Sequence, residues 1–307
     1  MTMNVEWLRG CATALVTPFT TTGAVDEVRL REFIEYQIAG GIHLLVPCGT
    51  TGESATMTET EDQRVIEITV EVAAGRARVI AGTGSNATAA AIEASRAARD
   101  LGVDAVLVVA PFYNKPTQDG LYAHFRAVAE AVSDLPVVLY NVPGRTSSNL
   151  TAATTLRLAN DVQNIVAIKE ASGDLSQIMA ILRNRPDHFR VLSGDDALTF
   201  ALLALGADGL ISVAANEAPA LMSTMIGKAL AGEWDDARSL HYKLLPLMEA
   251  NFIESSPGPV KAALAILNLI EENFRLPLVP VQEKTRARMR DVLVELGLLK
   301  EASHAAS

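Results

Sequence analysis

Two cysteines, Cys11 and Cys48, are the only thiols in this chain of 307 residues. Their spacing fits no metal pattern, and a disulfide would be unusual in a reducing compartment, so each reads as a small buried hydrophobe. The five histidines, His43, His124, His188, His241 and His304, are scattered, with no second ligand at helical spacing and no HExxH pattern. No metal site is expected. Aromatics make up only 5% of the chain, basic runs are lacking, and the net charge is −10. That balance argues against nucleic acid or an anionic membrane surface as a partner. Long apolar runs are missing too. The stretch 1–16 carries Glu6 and Arg9, so it reads as neither a signal peptide nor a membrane span, and a cytoplasmic location is expected.

What the chain does have is core-forming material, 49% hydrophobic residues, enough for one large α/β domain or two smaller ones. Eight short apolar runs read as strands: 11–16, 43–47, 78–81, 104–109, 136–140, 165–169, 190–193 and 209–213. Stretches with helical periodicity lie between them, including 27–39, 59–74, 88–101, 121–133 and 197–205. Thr58 to Glu61 has the pattern of a capping box, and Asp174 and Asp196 stand just before helical segments. Eight βα units at this spacing predict a parallel sheet with right-handed crossovers, closed as a (β/α)₈ TIM barrel. Strand signals stop near Glu217. The segments 220–231, 235–251, 260–270 and 283–298 read as helical, which places a barrel domain at 1–231 and a C-terminal helical extension at 232–307. The small, polar tail 301–307 is expected to fray.

In such a barrel the carboxyl ends of the strands carry the chemistry. The sixth run ends in Lys169. That amine either snorkels to water or, held at the edge of a core, becomes a nucleophile. An ordinary lysine with a pKa near 10.4 is neutral about once in a few hundred molecules at pH 8, and a fall of roughly two units makes the neutral amine a hundredfold commoner. The second run leads into Gly49-Thr50-Thr51-Gly52-Glu53, which is either a cradle for a small anion or a tight turn capping the next helix. The fourth run leads to Tyr113 and the fifth to Tyr140 and Arg145, whose plainer readings are amphipathic packing and a surface charge. Gly82-Thr83-Gly84-Ser85-Asn86-Ala87 mimics a dinucleotide fingerprint. The acidic residue at the right distance, Asp104, starts the next strand instead of ending it, so this segment reads as a loop and helix cap.

Taken in order and spacing, Gly49-Thr50-Thr51-Gly52-Glu53, Tyr140-Asn141-Val142-Pro143-Gly144-Arg145 and Ile168-Lys169-Glu170-Ala171 resemble the dihydrodipicolinate synthase family. That family lies within the pyruvate-dependent class I aldolases, which include N-acetylneuraminate lyase. The likeness runs from about Gly10 to Leu298 and takes in Ser193-Gly194-Asp195-Asp196 and Phe252-Ile253-Glu254. It implies that Lys169 forms an imine with pyruvate, and that the derived enamine adds to L-aspartate-4-semialdehyde. It implies further that Tyr140 moves protons, that Thr51 links it to Tyr113 of a neighbouring subunit, and that Arg145 binds the aldehyde's carboxylate. Thr50 and Thr51 would receive the pyruvate carboxylate, with Gly194 and Ile211 lining the pocket. No cofactor is implied, since imine condensation needs no redox carrier. A homotetramer built from two dimers is the assembly it suggests.

Two positions depart from the pattern, Ser147 and Ser256, and neither removes a reacting group. The resemblance also places a feedback site for L-lysine near Ser54, Ala55, Glu59, Asp62, Asn86, Ala90 and Phe112. Glu59, Asp62, Ala90 and Phe112 differ from lysine-sensitive bacterial members, so weak or absent inhibition is expected. Two other readings stay open at this stage: a relative acting on a 2-keto-3-deoxy sugar acid or N-acetylneuraminate, and a catalytically dead binding homologue.

Overall fold

A computed structural model of the chain describes residues 3 and 5–300, so the tail 301–307 lies outside the described residues. Eight parallel strands close into a barrel in chain order: β1 (Gly10–Ala14), β2 (Leu44–Val46), β3 (Arg78–Gly82), β4 (Ala105–Val109), β5 (Val137–Asn141), β6 (Ile165–Glu170), β7 (Arg190–Ser193) and β8 (Gly209–Ser212). The predicted strands are all present, with ends that differ by at most two residues. β8 pairs with β1, and at that seam Gly10 lies opposite Gly209. A Cβ on Gly209 would sit 2.2 Å from the Gly10 carbonyl oxygen, so the barrel closes there only with glycine.

Side chains alternate strictly along most strands. Cys11, Leu45, Val106 and Leu139 face the surrounding helices, whereas Ala12, Leu44, Leu107 and Val138 fill the interior. β6 breaks this rule. Its pairing with β5 slips by one residue between Val137 and Val138, so that Val137 faces Ile165 but Val138 faces Ala167. Val166 and Ala167 both point inward as a result. The bulge resets the alternation so that Lys169 lies beside Tyr140 on β5.

The outer ring comprises α1 (Glu27–Ala39), α2 (Glu59–Ala73), α3 (Thr88–Asp100), α4 (Gln118–Ala131), the single turn α5 (Pro143–Thr146), α6 (Ala152–Asp161), α7 (Leu175–Asn184), α8 (Thr199–Ala204) and α9 (Pro219–Leu230). The Thr58 capping box forms in full, and Asp174 caps α7 by accepting from the Gln177 N–H. Asp196 does not cap α8. Its carboxylate turns to the end of β8, and Asp195 accepts from the Leu198 N–H in its place. The glycines of the dinucleotide-like segment serve close packing: a Cβ on Gly82 would lie 2.3 Å from the Cys48 carbonyl oxygen, and one on Gly84 2.3 Å from the Val109 nitrogen. The cap expected there is absent as a side-chain bond, because the N-cap of α3 is Ala87. After α9 come α10 (Trp234–Ala250), α11 (Gly258–Ile266) and α12 (Glu283–Glu295). No helix among the described residues is long and apolar enough to cross a membrane.

Candidate active site

Lys169 is buried at the carboxyl end of β6, and no group among the described residues hydrogen-bonds its amine. The nitrogen lies 4.3 Å from the centre of the Tyr140 ring. Burial pulls its pKa down to about 8; the Asp196 charge opposes that fall and the Arg145 charge adds to it. At pH 7 roughly one amine in ten is then neutral, against about one in a few thousand for an exposed lysine. Gly194, just past β7, leaves room for this side chain, since a Cβ there would approach Lys169 Cε to 2.9 Å.

Tyr140 is the penultimate residue of β5, and its side chain belongs to the interior layer. Burial raises its phenol above the ordinary value, while the Arg145 charge and the adjacent Thr50 hydroxyl act against the rise. Arg145 sits one turn further on in α5, whose Pro143 at the first helical position presets the turn. No ion pair occupies its guanidinium among the described residues, and it borders the same cavity as Lys169.

The 49–53 loop is bracketed by two non-glycine residues in the left-handed region, Cys48 at φ 57° and Glu53 at φ 56°. Such conformations cost on the order of 1 kcal/mol each and persist where the surroundings hold them. The Gly52 and Glu53 N–H groups turn back on Gly49 and Thr50, and the Gly52 carbonyl accepts the Thr17 hydroxyl at 2.6 Å. The Thr50 and Thr51 N–H groups make no hydrogen bond among the described residues, and both residues line the cavity. The loop is therefore a turn whose Thr50 and Thr51 amides have no partner among the described residues. It does not cap α2, which a 3₁₀ turn at Ser54–Thr56 separates from it.

These groups enclose a cavity of about 160 Å³, large enough for a three-carbon acid. Thr50, Thr51, Tyr140, Arg145, Lys169 and Gly194 meet there. Ile211 does not reach its wall and lies in the apolar layer of the barrel interior. Tyr113 is 88% exposed at φ 74° on the loop after β4, away from the Lys169 cavity of its own chain. Phe252 and Ser256 from the C-terminal extension border the mouth.

Two supports were not legible as such in the sequence. Glu170 is buried and accepts from the Asn141 amide at 3.2 Å, the Ser172 N–H at 2.7 Å and Gln177 at 3.1 Å, tying together the ends of β5 and β6. Asp196 accepts from the Ser212 hydroxyl, from the Val213 N–H at 3.0 Å and from the Ala214 N–H at 3.3 Å, joining β7 to β8. The paired aspartates after Ser193-Gly194 were the available signal, and it pointed to a cap.

Known proteins fit this arrangement. The model of the dihydrodipicolinate synthetase family matches residues 7–296. The 4-hydroxy-tetrahydrodipicolinate synthase of Koribacter versatilis is 54% identical over 299 residues, 97% of this chain and 99% of that protein. Among solved structures, the chloride-inhibited dihydrodipicolinate synthase of Acinetobacter baumannii complexed with pyruvate superposes with a TM-score of 0.92 at 45% identity, covering 95% of this chain and 99% of that one. The synthase of Cyanidioschyzon merolae with lysine bound gives a TM-score of 0.93 at 42% identity, covering 95% and 99%. The chain belongs to the dihydrodipicolinate synthetase family.

Proposed function

We propose that this chain is a lyase that condenses pyruvate with L-aspartate-4-semialdehyde, the 4-hydroxy-tetrahydrodipicolinate synthase reaction of the diaminopimelate route to lysine. The observation that carries the reading is the lowered, unpartnered Lys169 amine, set against the Tyr140 ring in a cavity that Thr50, Thr51 and Arg145 also line. The neutral amine adds to the pyruvate ketone, and loss of water gives the imine. A methyl proton leaves to give the enamine, whose carbon attacks the aldehyde. The substrate's amino group then closes on the imine carbon and frees Lys169.

Tyr140 gives and takes the protons of these steps. A phenol raised by burial is a poor base alone, so it works through a hydroxyl chain from Thr51 to Tyr113 of a second copy. The exposure of Tyr113 supports that role, because its ring is free to reach across an interface. The Thr50 and Thr51 amides receive the pyruvate carboxylate, and Arg145 pairs with the carboxylate of the semialdehyde as a planar fork. Ile211 acts from beneath the pocket and Gly194 by leaving room for Lys169. We place the barrel domain at 1–231 and the helical extension at 232–307, in a cytoplasmic homotetramer.

L-Lysine inhibits weakly or not at all in this reading. Ser54 and Asp62 are already bonded to each other at 2.9 Å, and Ser54, Ala55 and Phe112 line a cavity of about 370 Å³ that Glu59 and Asp62 do not border, so the weak response rests on the side chains present at 59, 62, 90 and 112 and not on a lack of room. Half-inhibition below one millimolar lysine would overturn that point. The reaction itself is tested by pyruvate consumption with the semialdehyde, coupled to a dihydrodipicolinate reductase, beside a Lys169→Ala control. Turnover lost only in the control supports the reading, and a silent, folded wild-type protein rejects it.

A further inference from the structure

A second buried lysine lies outside the reacting groups. Lys261 stands in the first turn of α11, within the C-terminal extension, and its side chain is wholly buried together with that of Glu53. Its nitrogen lies 2.6 Å from Glu53 Oε1, 2.6 Å from the Asn273 carbonyl and 3.2 Å from the Thr17 carbonyl. The rings of Phe19 and Phe274 flank it, with centres at 4.4 Å and 4.9 Å. Three acceptors need three hydrogens, so this amine is an ammonium. The second Glu53 oxygen has no partner among the described residues, which leaves Lys261 as the side-chain partner of that buried carboxylate.

What Lys261 touches explains its purpose. Glu53 closes the loop that carries Thr50 and Thr51, in a left-handed conformation that needs outside support. Thr17, whose carbonyl Lys261 also holds, fixes the Gly52 carbonyl through its hydroxyl. One cation from the far end of the chain thus holds both anchors of the loop. Arg275 repeats the device downstream: it stacks on Phe19 with its carbon 4.5 Å from the ring centre, and donates to the Thr56 carbonyl at 2.9 Å and to Glu61.

We propose that Lys261 is a positioning residue for 2-oxo acid binding: through Glu53 and Thr17 it aims the Thr50 and Thr51 amides at the substrate carboxylate. The inference rests on the function proposed above. It predicts a defect selective for one substrate, because Arg145, which takes the carboxylate of the other, stands on α5, apart from this clamp.

The test uses the full-length protein, with Lys261→Met, and with Lys261→Met combined with Glu53→Gln so that no unpaired charge stays buried. Imine formation is read by borohydride trapping at increasing pyruvate, scored by mass, and steady-state kinetics are read for both substrates. The expected result is a rise of about tenfold in half-saturating pyruvate, the size of one lost hydrogen bond, in trapping and turnover alike. The KM for the semialdehyde stays within about threefold, a split between the two substrates that a loss of folded protein would not produce. Should Lys261→Met fail to fold, the double variant decides. A folded double variant with unchanged half-saturating pyruvate, or with both KM values moved together, overturns the proposal. If wild-type Lys169 is not trapped by pyruvate, the functional reading falls first and takes this inference with it.

Discussion

Lys169 and Lys261 are both buried lysines, yet the fold makes one a nucleophile and the other a girder. Burial lowers the pKa of each. At Lys261 the Glu53 charge pushes back, and three acceptors take up the ammonium hydrogens. At Lys169 no acceptor among the described residues holds the proton, and Asp196 acts on it only as a charge nearby. Burial therefore does not by itself make a lysine reactive. The number of acceptors within bonding distance decides which form the site stabilises.

The largest test of that contrast is chemical. Lys169→Ala is expected to reduce turnover on the order of 10⁴-fold or more and to abolish trapping by pyruvate and borohydride. Lys261 should stay unlabelled in wild-type and variant alike, and a peptide map showing label there would break the distinction. Next comes stability. Lys261→Met strands a buried carboxylate and should cost about 3–5 kcal/mol in urea unfolding, most of it recovered when Glu53→Gln is added.

The same experiment on Lys169 should change sign. With a folded pKa near 8 and an unfolded one near 10.4, wild type carries a penalty that is complete below pH 8 and gone above about pH 10.4. Lys169→Met should therefore stabilise the protein at pH 7 by on the order of 3 kcal/mol, with a gain that fades as pH rises through that window. The smallest effect is on rate: the trapping rate at low pyruvate should fall about tenfold per pH unit below pH 8 and level off above it. A rate still climbing in that way to pH 10 would show that Lys169 keeps an ordinary lysine pKa.

Much of this was readable beforehand. The strand runs are short, apolar and evenly spaced, and helical periodicity separates them, so the barrel and the end of β6 follow from pattern alone. The facing of Lys169 does not. Ile165-Val166-Ala167-Ile168 is apolar throughout and carries no inside-outside signal, whereas regular alternation from Ile165 would turn Lys169 toward the helices. Only the slip against β5 turns it inward. Asp196 was hidden for a different reason: two aspartates before a helix satisfy a capping pattern, and the partner that draws one away, Ser212, lies on another strand. Lys261 stands inside Gly258-Pro259-Val260-Lys261-Ala262-Ala263-Leu264, where one charge amid apolar residues is itself a sign of a buried pair, but its partner Glu53 lies too far along the chain for the pattern to name it.

The Glu53 to Lys261 pair spans 208 positions of chain, and so bears on the order in which the molecule is made whole. Tyr140 and Lys169 meet across neighbouring strands β5 and β6, a closure of short range that comes early in folding. The carboxylate cradle waits for a contact between the second strand's loop and the last part of the chain. During refolding from urea the nucleophile should thus be assembled before the grip on its substrate, so that trapping at saturating pyruvate returns sooner than trapping at low pyruvate. Simultaneous recovery of the two would mean that the barrel and its extension arrive in a single step.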